Sequence, residues 1–435
     1  MIRLPELTAL TPPPGIGEEI HRFMAELYPI CRSLTGDGVR ETLRRIHTHI
    51  PLTVHEVPSG TPVLDWTVPR EWAIHDAWIQ DAAGRRVIDF RRSNLHVMGY
   101  SVPVRARLSL AELRPHLHSL PDHPDWIPYR TSYWEPDWGF CLPHAVLETL
   151  DEGPYEVVID SALHDGHLTY GECLLPGEEP EEILISAHVC HPSLANDNLS
   201  GVGLATFLAR ALAGERRRYS YRFLFAPGTI GAITWLARNE AGLPRIRAGL
   251  VVACVGDPGP LTYKRTRRGD TELDRAVVHV LRHAGRRHQI LDFSPYGYDE
   301  RQYSSPGFDL AVGVLSRTPH GRFPQYHTSA DDLDFVRPEC LADSFAVYLA
   351  VLGVLDANRT YRNLCPRGEP QLGRRGLYRS LGGGLAAASR EMAMLWVLNL
   401  SDGRGSLLDI AERSGLPFTT IRAAADALLA HGLLA

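Results

Sequence analysis

One short stretch of the chain constrains its fold more than any other. The apolar run 183–187 has the length and composition of a buried strand in a parallel sheet. It is followed by His188, His191 and Asp197, and then by the helical pattern of residues 202–212. Residues just beyond the carboxyl end of such a strand lie where open α/β sheets bind their ligands. The stretch therefore predicts an α/β fold with His188 at the mouth of a site.

The residue types at this strand end favour a metal. Neutral imidazole and carboxylate are the ligands that zinc accepts in catalytic sites. Asp197 precedes a helix amino terminus, where a carboxylate is electrostatically tolerated. The alternative is that His188 and His191 are structural histidines and Asp197 an N-cap. For one histidine alone, the structural interpretation would be favoured. With two His and one Asp within ten residues, the structural and the metal-binding interpretations are equally well supported.

A second segment, residues 323–334, places His327 among polar turn formers before a C-terminal helical pattern. The two motifs, H-x-x-H-P-x-x-x-N-D-N-x-S-G and Y-H-T-S-x-D-x-x-D, resemble the co-catalytic zinc aminopeptidases, whose superfamily also contains glutaminyl cyclase and glutamate carboxypeptidase. The resemblance implies that His188, Asp197 and His327 bind zinc, with His191 in the second shell. Asp257, which ends a later apolar run, is a further candidate ligand by the same resemblance.

Three other segments, 32–38, 227–231 and 296–303, are similar to one branch of that superfamily. In this branch the aminopeptidase-like domain carries an inserted small domain and a C-terminal winged helix. The fold class implied is α/β, a doubly wound mixed sheet of the zinc aminopeptidase type with a β-rich insert. We expect a discontinuous catalytic domain (1–60 and 160–380), an inserted domain (61–159) and a winged-helix domain (385–435).

Two departures from the superfamily pattern bear on mechanism. Cys190 stands where these enzymes have the Asp of a His-x-Asp pair, which orients the His ligand. The run 221–229 also lacks the two adjacent Glu that supply the general base and a second-metal ligand. One zinc held by His188, Asp197 and His327 would keep an open position and still activate water. Asp257 would then complete a second site or support the first.

Another group must therefore handle the proton. By composition, Glu300 and Asp299 fit a solvated loop, whereas the resemblance places this loop beside the metal. We nominate Glu300, with Asp299, as general acid or base. Arg301 and Tyr303 are candidates to stabilise an oxyanion or bind a substrate carboxylate, and Tyr326 is a further candidate substrate contact.

The basic residues give a weaker indication. Lys264 is the only Lys among 45 basic residues. A Lys in a chain that otherwise uses Arg favours a need for its compact charge. Lys264 is thus either part of a substrate-anion pocket or a member of an ordinary basic loop.

The aromatic residues are concentrated in the predicted insert. Six of the eight Trp lie between Trp66 and Trp138. The run 126–139 has neither helical nor strand periodicity, so its rings are expected to anchor a domain interface or to form a lid over the metal.

Composition limits the partners of the chain. A net charge of −6 argues against nucleic acid as the main partner. Seven Cys, an odd number without a C-x-x-C pair, indicate reduced thiols. Residues 385–435 contain four Arg, no Lys and five acidic residues. This favours a docking or dimerisation module over a DNA reader, with a homo-oligomer formed through the winged-helix or inserted domain. With no signal-peptide pattern and no apolar run near membrane-spanning length, we expect a cytoplasmic protein that does not enter membranes.

Three functions fit these observations. The first is a zinc-dependent hydrolase, with one or two zinc ions, that cleaves an amide bond of an aminoacyl or peptide-like small molecule through metal-activated water. The second is acyl transfer or cyclisation on the same metal site, as in glutaminyl cyclase. The third is a non-catalytic scaffold that senses a ligand and is coupled to the winged helix.

Overall fold

The computed structural model describes residues 10–377 and 385–435. The α-helices are α1 (Ile16–Leu27), α2 (Asp37–His47), α3 (Leu110–Leu113), α4 (His144–Leu147), α5 (Gly201–Leu212), α6 (Ile230–Asn239), α7 (Glu272–His283), α8 (Glu300–Tyr303), α9 (Pro338–Ala357), α10 (Leu385–Leu400), α11 (Leu407–Ser414) and α12 (Phe418–Ala430). The strands are β1 (Thr53–Pro58), β2 (Pro62–Val63), β3 (Trp66–Thr67), β4 (Glu71–Gln80), β5 (Arg86–Asp89), β6 (Val104–Leu108), β7 (Leu117–His118), β8 (Phe140–Cys141), β9 (Tyr155–His164), β10 (His167–Leu175), β11 (Glu182–His188), β12 (Ser220–Ala226), β13 (Ile246–Val252), β14 (Leu261–Lys264), β15 (His288–Leu291), β16 (Val312–Ser316), β17 (Thr360–Arg362) and β18 (Asp402–Ser406).

An eight-stranded mixed sheet organises the largest region of the fold, in the order β1-β10-β12-β11-β13-β16-β14-β15. Its centre is parallel, because β11 pairs in parallel with both β12 and β13, and β13 pairs in parallel with β16. The edge at β1 and β10 and the pairing of β14 with β16 are antiparallel. All seven residues of β11 are buried, as expected for a central strand covered on both faces.

Each face of this sheet covers a separate hydrophobic core. Alternating side chains of β11 divide between the two, with Ile183 and Ile185 on one face and Leu184 on the other. The first core includes residues of α1, α5, α7 and α9 and of the C-terminal helices. The second includes residues of α6 and of the strands between β2 and β9. The sheet is therefore a middle layer, and its carboxyl edge is accessible to connecting loops.

The strands from β2 to β9 stand apart from the large sheet. The sheet β5-β4-β9-β6 is antiparallel, and the short pairs β2-β3 and β7-β8 accompany it. The β-rich insert of the sequence interpretation corresponds to this region. Its last strand, β9, continues to His164 before β10 joins the large sheet, a few residues beyond the predicted domain boundary at 159.

The C-terminal region contains α10, α11 and α12 and the two-stranded sheet β17-β18. Helix α11 begins with a capping box, in which the Ser406 side chain accepts from Asp409 N and the Asp409 carboxylate accepts from Ser406 N. Arg275 of α7 forms ion pairs with Asp409 and Glu412 of α11, so this region contacts the domain of the large sheet directly. The predicted break between residues 380 and 385 lies outside the described residues.

Helix α9 corrects one expectation from the sequence. By length and composition it could cross a membrane, whereas no apolar run was expected to approach that length. In the structure 89% of its most apolar window is buried, against α1, α5 and α7. A helix that is apolar on all sides is also typical of a protein core, and α9 occupies that position.

Candidate metal centre

The candidate centre lies at the carboxyl end of β11, as the sequence predicts. His188 is the last residue of this strand, and Asp197 lies in the connection to α5. Gly201 permits the tight start of α5, because a Cβ there would lie 2.3 Å from the Val252 carbonyl oxygen and 2.4 Å from Asn198 Oδ1. The D-N-x-S-G motif thus packs the helix start against β13 and presents Asp197 beside His188.

Three imidazoles surround the Asp197 carboxylate. His188 Nε2 is 3.0 Å from Asp197 Oδ1, and His327 Nε2 is 3.0 Å from Asp197 Oδ2. His191 Nδ1 is 3.5 Å from Oδ2. The donor atoms of His188, His191 and Asp197 all lie within 4.8 Å of one another. His191, expected in the second shell, therefore belongs to the donor cluster itself.

The charge state of this cluster suits a cation. Burial alone would raise the pKa of Asp197, but hydrogen bonds from the His188 and His327 imidazoles hold it well below its usual range. Burial lowers the pKa of His191 to about 3, so its imidazole is neutral. Its Nδ1 is buried and makes no hydrogen bond. A neutral, unpaired imidazole nitrogen beside a carboxylate is what a metal ligand requires, so these residues fit zinc.

The loop that carries Asp197 is held by Asp331, which had no assigned role in the sequence interpretation. Its Oδ1 accepts from Asn196 N at 2.6 Å, and its Oδ2 accepts from Asp197 N at 3.0 Å. Asp331 is fully buried, and burial raises its pKa to about 8. Asn198 Nδ2 donates to the Val252 carbonyl oxygen at 2.9 Å and ties the other side of the loop to β13.

Aromatic rings pack against the histidines. The Tyr326 ring stacks on His327 with a centroid distance of 3.9 Å, and the Tyr298 ring lies 5.6 Å from His188. Tyr129, from the aromatic run of the insert, meets His191 and His327 edge-on at 5.2 and 5.0 Å. Rings with these contacts restrict the orientations of the imidazoles and limit access of water.

The insert also holds His327 through the backbone. Tyr129 N donates to the His327 carbonyl oxygen at 2.8 Å, and Ser329 N donates to the Ile127 carbonyl oxygen at 2.8 Å. His327 has a φ of 57°, in the left-handed region that non-glycine residues seldom adopt. The contacts of the insert therefore help to maintain a strained backbone that directs the His327 side chain toward Asp197. The sequence left this aromatic segment open between an interface anchor and a lid, and it forms part of the wall of the centre.

Asp257 is not placed as the predicted metal ligand would be. Both of its oxygens accept hydrogen bonds, Oδ1 from Thr318 Oγ1 and Gly259 N and Oδ2 from Asn196 Nδ2 and Thr318 N. With four donors around it, Asp257 fixes Asn196 and the loop after β16. We therefore replace the ligand assignment with a supporting one.

Glu300 and Asp299 are buried, which excludes a solvated loop. Glu300 is 0% exposed, and its Oε1 accepts from Lys264 Nζ at 2.7 Å while its Oε2 is buried without a hydrogen-bond partner. Asp299 Oδ1 accepts from Thr229 N at 2.7 Å, at the strand end where the superfamily has its Glu pair. Burial raises the pKa of Asp299, and the charge on His188 opposes that shift.

The structure gives Lys264 and Tyr303 other roles than substrate contact, whereas the role of Arg301 stays a prediction. Lys264 belongs neither to a basic loop nor to an open anion pocket, because its Nζ is engaged by Glu300 and by the Tyr296 carbonyl oxygen. Tyr303 is 0% exposed, and its hydroxyl is 2.8 Å from Ser186 Oγ, so it is a core residue. Arg301 places its guanidinium 5.9 Å from the Tyr296 ring centroid, and its buried Nε has no hydrogen-bond partner.

Cys190 and Arg32 show what two of the segments that resemble the aminopeptidase branch, 227–231 and 32–38, do in the structure. Cys190 is buried, burial raises the pKa of its thiol to about 12, and its Sγ accepts from Gly228 N. Arg32 is also buried, and its Nε donates to the His191 carbonyl oxygen at 2.8 Å. Position 190 therefore supplies packing, while Arg32 fixes the backbone that carries His191.

Comparison with known proteins assigns the family. The model for "Domain of unknown function (DUF4910)" matches residues 21–358, which is most of the chain. The chain belongs to the DUF4910 family. A winged helix-turn-helix model matches residues 359–435, so this domain begins earlier than the predicted residue 385 and includes β17.

Two known proteins from Clostridium acetobutylicum are similar to nearly the whole chain. A curated protein named "Putative polysaccharide biosynthesis protein with aminopeptidase-like domain" is 55% identical over 418 residues, covering 96% of each chain. A crystal structure of a "putative peptidase" from the same species is 54% identical, covers 96% of each chain and has a TM-score of 0.92.

More distant structures establish the fold. A zinc aminopeptidase from Bacillus subtilis is 12% identical, with a TM-score of 0.56 over 77% of this chain and 94% of the other. A peptidase M28 precursor from Shewanella amazonensis is 15% identical, with a TM-score of 0.56 over 81% and 96%. The predicted zinc aminopeptidase fold with a C-terminal winged helix is thereby confirmed.

Proposed function

We propose that this protein is a metal-dependent amide hydrolase of the aminopeptidase type that acts on an aminoacyl or peptide-like small molecule. The observation that carries the proposal is the convergence of His188, His191 and His327 on Asp197 at the carboxyl end of β11. Zinc suits a set of imidazole nitrogen and carboxylate donors. Aminopeptidase-like relatives and the peptidase fold support the hydrolase class.

The residues that would hold the ion are His188, Asp197 and His327, with His191 as an additional donor. When bound, zinc would lower the pKa of a coordinated water and polarise a substrate carbonyl. The protein orients the donors through Asp331, Arg32 and the aromatic rings described above. Asp197 contacts His188 with one carboxylate oxygen and His191 and His327 with the other. Each oxygen therefore faces at least one of the histidines.

Glu300 is the group we assign to proton transfer. Lys264 fixes one of its oxygens, and the other is buried and free of hydrogen bonds, so it can accept a proton from the attacking water and pass it to the leaving amine. His320 lies within electrostatic reach of both Glu300 and Asp197, and its buried Nδ1 has no hydrogen-bond partner. A substrate or a water molecule that reached these two unpartnered polar atoms could form hydrogen bonds with them.

A second candidate reaction is favoured by the loop after β12. The stretch 226–229, where the superfamily has two adjacent Glu, contains no carboxylate, and Asp299 reaches Thr229 from another loop. With the proton-transfer group on a different loop, an amine of the substrate itself could replace water as the nucleophile. Cyclisation or acyl transfer would then occur at the same centre, and analysis of the products distinguishes it from hydrolysis.

The winged helix is proposed to dock on the catalytic domain instead of reading DNA. In helix-turn-helix proteins the amino-terminal residues of the recognition helix contact bases. Here Phe418 N, at the start of α12, donates to His279 Nε2 of α7 at 3.0 Å, and Arg422 binds Asp426 and the Ala357 carbonyl oxygen. A salt-dependent mobility shift with duplex DNA would contradict this assignment.

Metal content is the decisive test of the proposed function. We expect elemental mass spectrometry to find zinc in the purified protein and a loss of zinc in His188→Ala and His327→Ala. His96→Ala is the matched control, because His96 is a buried histidine of the insert that bonds the Cys141 carbonyl oxygen. Glu300→Gln should retain zinc but lose turnover of aminoacyl amides. Absence of zinc after addition of excess metal would refute the proposal and favour a ligand-sensing scaffold.

A further inference from the structure

A second concave surface lies on the insert, and its lining contains none of the residues assigned to the metal centre. It has a volume of about 510 Å³ and is bounded by residues 59–60, 67–70 and 132–136, together with Tyr100, Leu163 and Asp165. Pockets of a few hundred Å³ with aromatic walls are the usual binding sites for small organic molecules. We refer to this surface as the insert pocket.

Aromatic rings form the wall of the insert pocket. Tyr100, Tyr133 and Trp134 line it, and the Trp66 ring lies 5.2 Å from the Trp134 ring. Trp134 is 50% exposed and Trp66 is 39% exposed. Burial of apolar surface contributes about 25 cal/mol of free energy for each Å² removed from solvent, and exposed rings lack this contribution. Two adjacent exposed indoles beside a cavity therefore indicate a surface that a ligand covers.

The polar groups of the insert pocket indicate what kind of ligand fits. Arg70 and Asp165 form a long ion pair of 3.6 Å, with side chains 60% and 93% exposed, so both retain free hydrogen-bonding capacity. Glu135 adds a second carboxylate to the lining. One cation against two carboxylates disfavours phosphate or carboxylate ligands. A neutral ligand with several hydroxyl groups can bond to both members of the Arg70–Asp165 pair.

We propose that the insert pocket binds a pyranose ring of a neutral saccharide. A pyranose has C–H faces that are apolar enough to stack on the ring of Trp134, beside Trp66, and hydroxyl groups around its edge that can reach Arg70 and Asp165. This combination of ring faces and peripheral hydroxyls matches the aromatic wall and the polar rim. A purely aromatic ligand would leave the exposed polar pair unused, and a nucleotide would bring its phosphates against the carboxylates.

The insert pocket is also close to the candidate metal centre. The Tyr133 hydroxyl lies 2.7 Å from the Tyr129 hydroxyl, and the Tyr129 ring contacts His191 and His327. One pair of tyrosines thus connects the pocket wall with the histidines. Saccharide binding itself does not depend on the proposed hydrolase activity, and it can be measured on metal-free protein.

Saturation-transfer NMR on the full-length, chelator-treated protein tests the proposal. The probes are N-acetylglucosamine disaccharide and maltose, with adenosine monophosphate and indole representing the other ligand classes. We expect saccharide signals and about a tenfold weaker affinity in Trp134→Ala, which is about 1.4 kcal/mol of binding free energy. Trp66→Ala should also weaken binding, because it removes the ring beside Trp134. Both Trp side chains are partly exposed, so these variants should fold.

The matched control is Leu174→Ala, which truncates an apolar side chain of β10 that is 43% exposed and lies outside the pocket. Its saccharide affinity should equal that of the parent protein. The proposal is overturned if neither saccharide binds, if binding is unchanged in both Trp variants, or if only adenosine monophosphate or indole binds. A saccharide signal that disappears with the indoles supports it, whatever the metal measurements show.

Discussion

Replacing Asp331 with Ala should weaken metal binding although its carboxylate bonds only to the backbone of the Asp197 loop. The substitution removes the acceptors of Asn196 N and Asp197 N, two buried donors held at 2.6 and 3.0 Å. Each buried N–H without a partner costs about 1–3 kcal/mol, and water entering the vacated space recovers part of this. We expect a loss of at most about 2–4 kcal/mol in the free energy of unfolding of the metal-free protein, because removing a carboxyl group whose pKa is raised by burial also relieves a desolvation cost.

The effect on the metal should be larger than that of a general loss of stability. Supporting groups that orient a ligand typically contribute 10- to 100-fold to metal affinity, and Asp331 orients the one residue that all three histidines approach. We therefore expect the zinc dissociation constant of Asp331→Ala to rise by about 10- to 100-fold. Competition with a chromophoric chelator measures it, and urea denaturation measures stability.

Asp332→Ala provides the matched control. Asp332 Oδ1 also accepts from two backbone groups, Asp334 N and Phe335 N, at 3.0 and 2.9 Å. Asp332 thus accepts two backbone hydrogen bonds, as Asp331 does, but from its own turn and not from the Asp197 loop. Its loss should cost about 0.5–2 kcal/mol, as for a lost cap, and leave zinc affinity unchanged. If the two variants bound zinc equally well, the role assigned to Asp331 would be refuted.

Further predictions concern the domain contacts and the aromatic wall. Burial, with His283 and Arg282, lowers the pKa of His279 to about 4 from 6.5, so the unfolded state binds protons more readily between these values. Stability should be fully present above pH 6.5 and fall as the pH drops toward 4, by at most about 3 kcal/mol, with a flatter pH profile of thermal unfolding in His279→Gln. Arg275→Ala removes ion pairs to α11 and should speed limited proteolysis between the two domains; an unchanged digestion rate would contradict that contact. Tyr129→Phe should retain zinc affinity because it keeps the ring, whereas Tyr129→Ala should weaken it in the chelator assay; equal affinities would exclude a role for the ring.

Local sequence order was sufficient for the central part of the site. An apolar strand followed by His188, and a D-N-x-S-G segment entering a helix, place His188 and Asp197 together because both lie on one connection between β11 and α5. The same motif requires Gly201 at a point where the backbone of β13 approaches closely. These features depend on neighbours along the chain, so the sequence pattern carries them.

Assignments that depended on distant contacts were less accurate. Asp257 ends an apolar segment as a ligand would, but Thr318 and Asn196 engage both of its oxygens. Tyr303 and Lys264 lie in polar segments that suggested exposure, yet the fold buries Tyr303 against Ser186 and pairs the half-buried Lys264 with Glu300. Composition describes a segment, whereas burial depends on what packs over it, and that information is not local.

The sequence by itself determined the family, the α/β fold, the separate winged helix and the His188–Asp197 pair at a strand end. Only the tertiary structure decided that His191 joins the donors, that Asp331 holds their loop, and that Tyr129 of the insert contacts two of the histidines. The physical reason is that strand and helix patterns arise from residues a few positions apart. The metal centre instead combines distant side chains such as Asp197 and His327, which are 130 positions apart in the sequence, and their distances exist only after the layers have packed.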